Sequence, residues 1–310
     1  MRGARRALVL GIGGGGDVIG ALALGRRCEQ LGTPFALGGV AWERFAIDPH
    51  PGPRPLAEIR GGRPLGERAV LAGPETSTPD GVRFSEAHAA GHLRARGGPG
   101  AETVLIDVTA GAPGAAEGIA AAARALDCNL VVYVDIGGDA IATGDEPGLA
   151  SPLCDAIMLA AALRLLGELP GAIAILGAGC DGELEPEEVL ARVAALGRAG
   201  AWTGTWGLTP AIAEEVAEAA AGSGTEASMQ VVRCALGEHG EAEIRGGRRT
   251  VPLSPLGALA FCFDVEAAAV ELPLARAVME AESLEEARAV LAGRGVRTEL
   301  DWERHRAASA

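Results

Sequence analysis

The chain has 310 residues, a formal net charge of −14, 48% hydrophobic and only 3% aromatic residues, and 46 glycines. All 27 cations counted as Lys plus Arg are arginine, which excludes a lysine Schiff base, hence pyridoxal-phosphate and lysine-aldolase chemistry, and a phosphate loop with its signature lysine. The acidic balance repels nucleic-acid backbones, and a core poor in aromatics must be built from Ala, Val, Leu and Ile, which suits helices packed closely on a sheet.

Taken in chain order, the sequence alternates short β-rich runs with alanine-rich helical stretches. Met1 to Arg6 is charged like the start of a signal peptide, but the apolar run after it breaks into glycines after about six residues, too short for a signal core. Residues 7–12 read as a strand and 17–31 as a helix. Weaker strands follow at 34–37 and 69–72, and the Pro- and Gly-rich stretches at 50–55 and 73–80 read as loops. A strand at 103–107 precedes a helix at 113–125. Residues 130–135 form the clearest buried strand, followed by a helix from Ser151-Pro152 to about 166. A strand at 172–176, helices at 186–196 and 210–221, and a strand at 229–236 complete the pattern. Residues 241–251 read as a hairpin turning at Gly246-Gly247, and 283–291 as a helix opened by Ser283-x-x-Glu286.

Continuous apolar strands separated by helices imply a parallel sheet covered on both faces. The expected fold is therefore α/β, a three-layer Rossmann-like arrangement with a mostly parallel sheet. A single domain over residues 1–310 is expected, with a hairpin and helix extension from about 241. The six cysteines are scattered without a C-x-x-C pair, so reduced thiols and a cytoplasmic location are expected. No segment reaches the roughly 20 apolar residues that span a membrane.

The sharpest local feature is Gly11-Ile12-Gly13-Gly14-Gly15-Gly16-Asp17, between the first strand and first helix. Glycines there let a ligand approach the backbone, and a helix amino terminus favours an anion. The segment contains G-x-G-x-x-G, but a dinucleotide site also wants an acidic residue about 20 positions on, at the end of the second strand. That strand ends Leu37-Gly38-Gly39, with Glu43 beyond it. Asp17 suits ribose hydroxyls, an amine or Mg2+; the competing structural reading makes it a helix cap.

Directly after the clearest strand, Asp135-Ile136-Gly137-Gly138-Asp139 leads on to Asp145 and Glu146. Hard cations take such oxygen ligands, so Asp135, Asp139 and Asp145 are candidate metal ligands; a solvated turn is the alternative. Asp107 with Thr109 ends one strand and Asp181 another, and ligands of open α/β sheets bind at strand carboxyl ends. Gly11, Gly13, Gly14, Gly15, Gly16, Asp107, Thr109, Gly137, Gly138 and Asp181 are thus expected to bind ligand. Asp135, Asp139 and Asp17 are the expected catalytic acids or bases, since crowded carboxylates raise one another's proton affinity. Cys154 reads as a packed thiol, and residues 202–207 as a stacking lid or a buried element. His88 and His92 share a helix face without a third zinc ligand on that face.

On Gly11 to Gly20, Asp135 to Asp139 and Ser151 to Asp155, the sequence resembles the DUF1152 family over most of its length. The resemblance implies a shared pocket and carries no reaction with it. The first glycine loop is also similar to the S-G-G-x-D-S pyrophosphate loop of adenylating enzymes, but aligned on Asp17 it has Gly13 and Val18 where that loop has serines.

These features lead to an expected enzyme acting on a small phosphorylated or nucleotide-linked metabolite by hydrolysis or group transfer, with Mg2+ as candidate cofactor. The rivals are a Rossmann-type oxidoreductase using NAD(P) and a non-catalytic small-molecule-binding protein. The expected partner is a small molecule, without nucleic acid or membrane, and assembly as a homo-oligomer is compatible with this reading.

Overall fold

The computed structural model describes residues 3–97 and 101–309. Its first strand, β1 (Ala7–Gly11), carries no polar position: Leu8 and Leu10 enter one core while Ala7 and Val9 enter another. Successive strand residues point to opposite faces, so such a strand must be covered on both sides. The chain continues through α1 (Asp17–Gln30), β2 (Phe35–Val40), β3 (Arg63–Pro64), β4 (Ala69–Ala72), α2 (Ser85–Ala95), β5 (Thr103–Ile106), α3 (Gly111–Ala125) and β6 (Leu130–Ile136). Next come α4 (Pro152–Arg164), β7 (Gly171–Leu176), α5 (Pro186–Arg198), β8 (Trp202–Gly207), α6 (Pro210–Ala219) and α7 (Ala227–Ala235). A hairpin of β9 (Gly240–Ile244) and β10 (Arg249–Leu253) precedes β11 (Leu259–Asp264), α8 (Val265–Ala268), α9 (Pro273–Val278), α10 (Leu284–Ala292) and α11 (Glu299–Ala307).

Nine strands form one sheet in the order β3-β4-β5-β2-β1-β6-β7-β11-β8. Its centre, β5-β2-β1-β6-β7, is parallel throughout, and β4 and β11 flank it antiparallel. Helices α1, α6 and α7 pack on one face with the hairpin, and α3, α4, α5, α9 and α10 on the other. This is a three-layer Rossmann-like fold with a mostly parallel sheet. Among the described residues, no helix is long and apolar enough to cross a membrane.

The strand order fixes the site. From β1 the chain moves to β2 and β5 on one side, then returns to lay β6 and β7 on the other. The loops leaving β1 and β6 therefore diverge and open a crevice at their carboxyl ends, where ligands of open α/β sheets bind.

Several expectations are corrected. Residues 229–236 lie in helix α7 and its C-cap, not a strand; the Val231-Val232 pair is β-branched, but both side chains are buried in the core on that face of the sheet, and a short apolar run cannot separate the two states. Residues 202–207 are neither lid nor core: they form β8, an edge strand with Trp202 49% exposed. Beyond residue 241 the hairpin is followed by β11, which joins the main sheet between β7 and β8.

Candidate functional site

The floor of the crevice begins with the loop between β1 and α1. Asp17 does not cap its helix; its Oδ2 turns back to accept the Gly13 amide at 2.9 Å. A Cβ on Gly13 would lie 2.7 Å from Asp17 Oδ2 and 3.3 Å from Asp155 Oδ2, so only glycine lets the backbone pass between these carboxylates. Asp135 stands near the carboxyl end of β6, and Asp155 is in the first turn of α4. Asp17, Asp135 and Asp155 each bring an oxygen within 4.8 Å of the others, and Asp139, Asp181 and Glu183 form a second group by the same measure.

The two groups differ in how their oxygens are satisfied. Asp135 Oδ2 and both oxygens of Asp155 are buried without a hydrogen-bond partner, a condition that costs about 1–3 kcal/mol per group, and more when charged. The second group is well supplied with donors. Glu183 accepts the amides of Ala150 and Ser151, each at 2.8 Å, the Ser151 hydroxyl at 2.6 Å and Arg245 Nη2 at 2.9 Å. Asp181 Oδ1 accepts the Glu183 amide at 3.1 Å.

Titration sets Glu183 apart from the other five carboxyls. Burial raises Asp17 to about 7 against the opposing pull of Arg44, and raises Asp181 to about 7 with help from Glu183. Burial and the neighbouring carboxylates push Asp135, Asp139 and Asp155 well above the ordinary range. Glu183 alone of the six is lowered: burial raises it, but Arg245 and the Ser151 hydroxyl outweigh that cost. Stacked like charges and desolvation are the two causes that make a carboxyl hold its proton.

Three elements wall the floor into a cavity of about 820 Å³. Behind it, Arg44 donates from Nη2 to the Gly13 carbonyl, while its buried Nη1 has no hydrogen-bond partner and stands 4.0 Å from Glu299. Helix α11 closes a second side. Its Glu299 accepts the amides of Leu153 (3.0 Å) and Cys154 (2.8 Å) in the first turn of α4, whose N-cap Ser151 makes no side-chain cap bond, and Glu303 accepts Trp42 Nε1 (3.1 Å) and the Gly52 amide (2.8 Å). The hairpin turn forms the third side with Arg245, Arg248 and Arg249.

Gly13, Gly14, Gly15, Gly16, Asp17, Asp135, Asp139 and Asp181 all line this cavity. Gly11, Gly137 and Gly138 do not; they pack behind it. Gly137, at φ +128°, would place a Cβ 2.2 Å from Asp181 Cγ. Gly137→Ala is therefore expected to displace Asp181 and lower stability by about 1–3 kcal/mol, read as a lower urea midpoint; an unchanged midpoint would contradict it.

Two expectations fail on placement. Asp145 is exposed and outside the cavity, because the loop beyond the short helical turn at Asp139–Ile141 runs away to the surface. Asp107 and Thr109 are also outside: Asp107 accepts the Thr109 amide (2.8 Å) and hydroxyl (2.6 Å) and pairs with Arg68 at 3.1 Å, a closed structural unit. His92 Nε2 lies 3.3 Å from Glu215 rather than in a zinc site. Cys154 is a packed thiol pushed well up by burial and by Asp155.

Sequence reasoning missed Asp155, Glu183 and Arg44 as site residues. Asp155 had a signal, an acidic side chain in the first turn of a helix opening beside an acidic loop; Glu183 had one in its spacing from Asp181. Arg44 had none. The basic turn Arg245-Gly246-Gly247-Arg248-Arg249 was visible as a charge cluster in an acidic chain, but on a turn rather than a helix.

A sequence model for the family described as "Protein of unknown function (DUF1152)" matches residues 8–307. The chain belongs to the DUF1152 family. No curated protein and no solved structure matches it. The DUF1152 match runs from β1 to the end of α11 and so takes in every side of the cavity.

Proposed function

We propose that this protein is a cytoplasmic, divalent-cation-dependent enzyme that hydrolyses, or transfers a group from, a small phosphorylated or nucleotide-linked metabolite. One observation carries the reading: Asp17, Asp135 and Asp155 converge within 4.8 Å while three of their buried oxygens have no partner. Unpartnered, mutually repelling carboxylates fit a hard cation, which takes oxygen ligands of this kind. Mg2+ or Mn2+ suits the donor set, with Asp17, Asp135 and Asp155 holding it. When bound, such an ion polarises a phosphoryl oxygen and activates water.

The remaining roles fall to the chain itself. Asp139 and Asp181, whose proton affinity burial raises, line the cavity as candidate general acids. Gly13 to Gly16 and the amino end of α1 form a wall suited to an anion. Arg44 supplies a fixed positive charge behind that wall. The six cysteines, all buried and none in a disulfide, accord with a reducing compartment. The NAD(P) reading is weaker: just beyond β2, where a dinucleotide site needs a carboxylate free for ribose, Glu43 accepts the Ser85 amide instead.

Calorimetric titration with Mn2+ and Mg2+, followed by a screen of phosphate esters for phosphate release, tests the proposal. Saturable cation binding and cation-dependent turnover are expected, and a cation at about 100 times its Kd stabilises the fold by about 2.7 kcal/mol. Absence of cation binding would refute it.

A further inference from the structure

The chain has few aromatics, four Trp, one Tyr and five Phe, yet Phe45 and Trp302 both line the cavity, beside Ile47. Trp302 is 42% and Ile47 40% exposed, whereas Trp42 and Phe84 are fully buried. Arg297 lies 3.4 Å from the Trp302 ring centroid and Arg306 5.1 Å from that of Phe45, a cation–π contact on each ring. The cavity thus combines exposed apolar and aromatic side chains with a carboxylate floor.

The hairpin arginines divide in the same purposeful way. Arg245 is held by Glu183 at 2.9 Å, and Arg249 by the carbonyls of Gly182 and, at 3.0 Å, Gly148. These contacts pin the turn over the cavity. Arg248, between them, lines the cavity and makes no hydrogen bond or ion pair among the described residues, and Arg306 forms no ion pair. An arginine fork matches phosphate oxygens in bidentate fashion.

We infer that the ligand is a nucleoside phosphate, its base on the Ile47–Trp302 shelf and its phosphates between Arg248 and the Asp17–Asp135–Asp155 floor. This deepens the cation reading and rests on it for the floor's charge. A plain sugar phosphate would leave the shelf in water, and an apolar ligand would leave Arg248 and the floor without a counterpart. The cavity, at about 820 Å³, lies within the roughly 300–1,000 Å³ range of small-molecule sites.

Calorimetry on the full chain with Mn2+ present, using ADP and ribose 5-phosphate as probes, tests the assignment. ADP is expected to bind at least about tenfold tighter, about 1.4 kcal/mol, in line with base stacking on an aromatic side chain. Trp302→Ala should remove that preference and Trp302→Phe restore most of it, while Arg248→Ala should weaken both ligands at least about tenfold. Mn2+ affinity, measured without nucleotide, should be the same in Trp302→Ala as in the unmodified chain, showing that the floor survives. Equal binding of ADP and ribose 5-phosphate, or an ADP preference that Trp302→Ala leaves intact, would overturn the inference even if Mn2+ binds. Failure of Mn2+ to bind would instead strike the cation reading, and ADP discrimination persisting without it would retain the shelf.

Discussion

Asp155→Asn is expected to raise the melting temperature of the metal-free protein and, in the same variant, to abolish its response to Mg2+. Both oxygens of Asp155 are buried and unpartnered, and Asp135, Asp17 and Glu299 all disfavour its charge. An uncharged amide of the same shape relieves that repulsion and offers N–H donors to Asp17 and Asp135. Relief of one such group is worth about 1–3 kcal/mol, which for a chain of this size corresponds to on the order of 2–6 °C. Cation affinity moves the other way. Removing groups that merely support a ligand already costs about 10–100-fold, and Asp155 is one of the three proposed ligands, so a loss beyond about 100-fold is expected. Opposite signs from one substitution are the mark of a site that trades stability for function. Scanning calorimetry with and without Mg2+ reads both; a destabilised apo protein that still binds Mg2+ normally would make Asp155 a structural carboxylate.

The same geometry explains which parts of the site were legible in sequence. The apolar strands alternating with alanine-rich helices announced the layered fold, because a strand with no polar face needs cover on both sides. The rule that strand ends carry the ligand then ranked Asp107, Asp135 and Asp181 alike. Strand order separates them. β6 borders β1 at the point where the topology reverses and β7 borders β6, whereas β5 lies two places away beyond β2. Order is set by long-range pairing that leaves no local trace, so Asp107 looked equivalent to Asp135 and was not. Asp155 failed for the converse reason: it arrives from a helix start rather than a strand end, and its neighbours in space, Asp17 and Gly13, are far from it in sequence. Arg248 shows the limit of counting charge by element, since its exposure to the cavity depends on Arg245 and Arg249 fastening the turn.

Stability of the metal-free protein is expected to fall as pH rises from about 5 to about 8, and saturating Mg2+ should abolish the fall. The groups concerned face one another from four elements: Asp17 of α1, Asp135 of β6 and Asp139 just beyond it, Asp155 of α4 and Asp181 after β7, with Glu43 and Glu299 behind them and Arg44 and Arg245 as the facing cations. Burial raises Asp17, Asp181 and Glu299 to about 7 and Glu43 to about 8. A carboxyl whose folded pKa exceeds its unfolded value contributes fully below the unfolded pKa, near 4, and loses that contribution as pH rises through the folded pKa. The sign is therefore opposite to that of a salt-bridged carboxylate, and the window lies between about 4 and 8. The rise of Asp181 from 3.8 to about 7 spans most of that window, so the melting temperature of the metal-free protein is expected to decline across it. Cation ligands must be deprotonated, so Mg2+ affinity rises across the same window as protons leave. Melting curves at stepped pH, with and without Mg2+, settle the matter: a metal-free melting temperature that climbs between pH 5 and 8 would mean that the carboxylates are already paired within the protein and that no cation is required to hold them together.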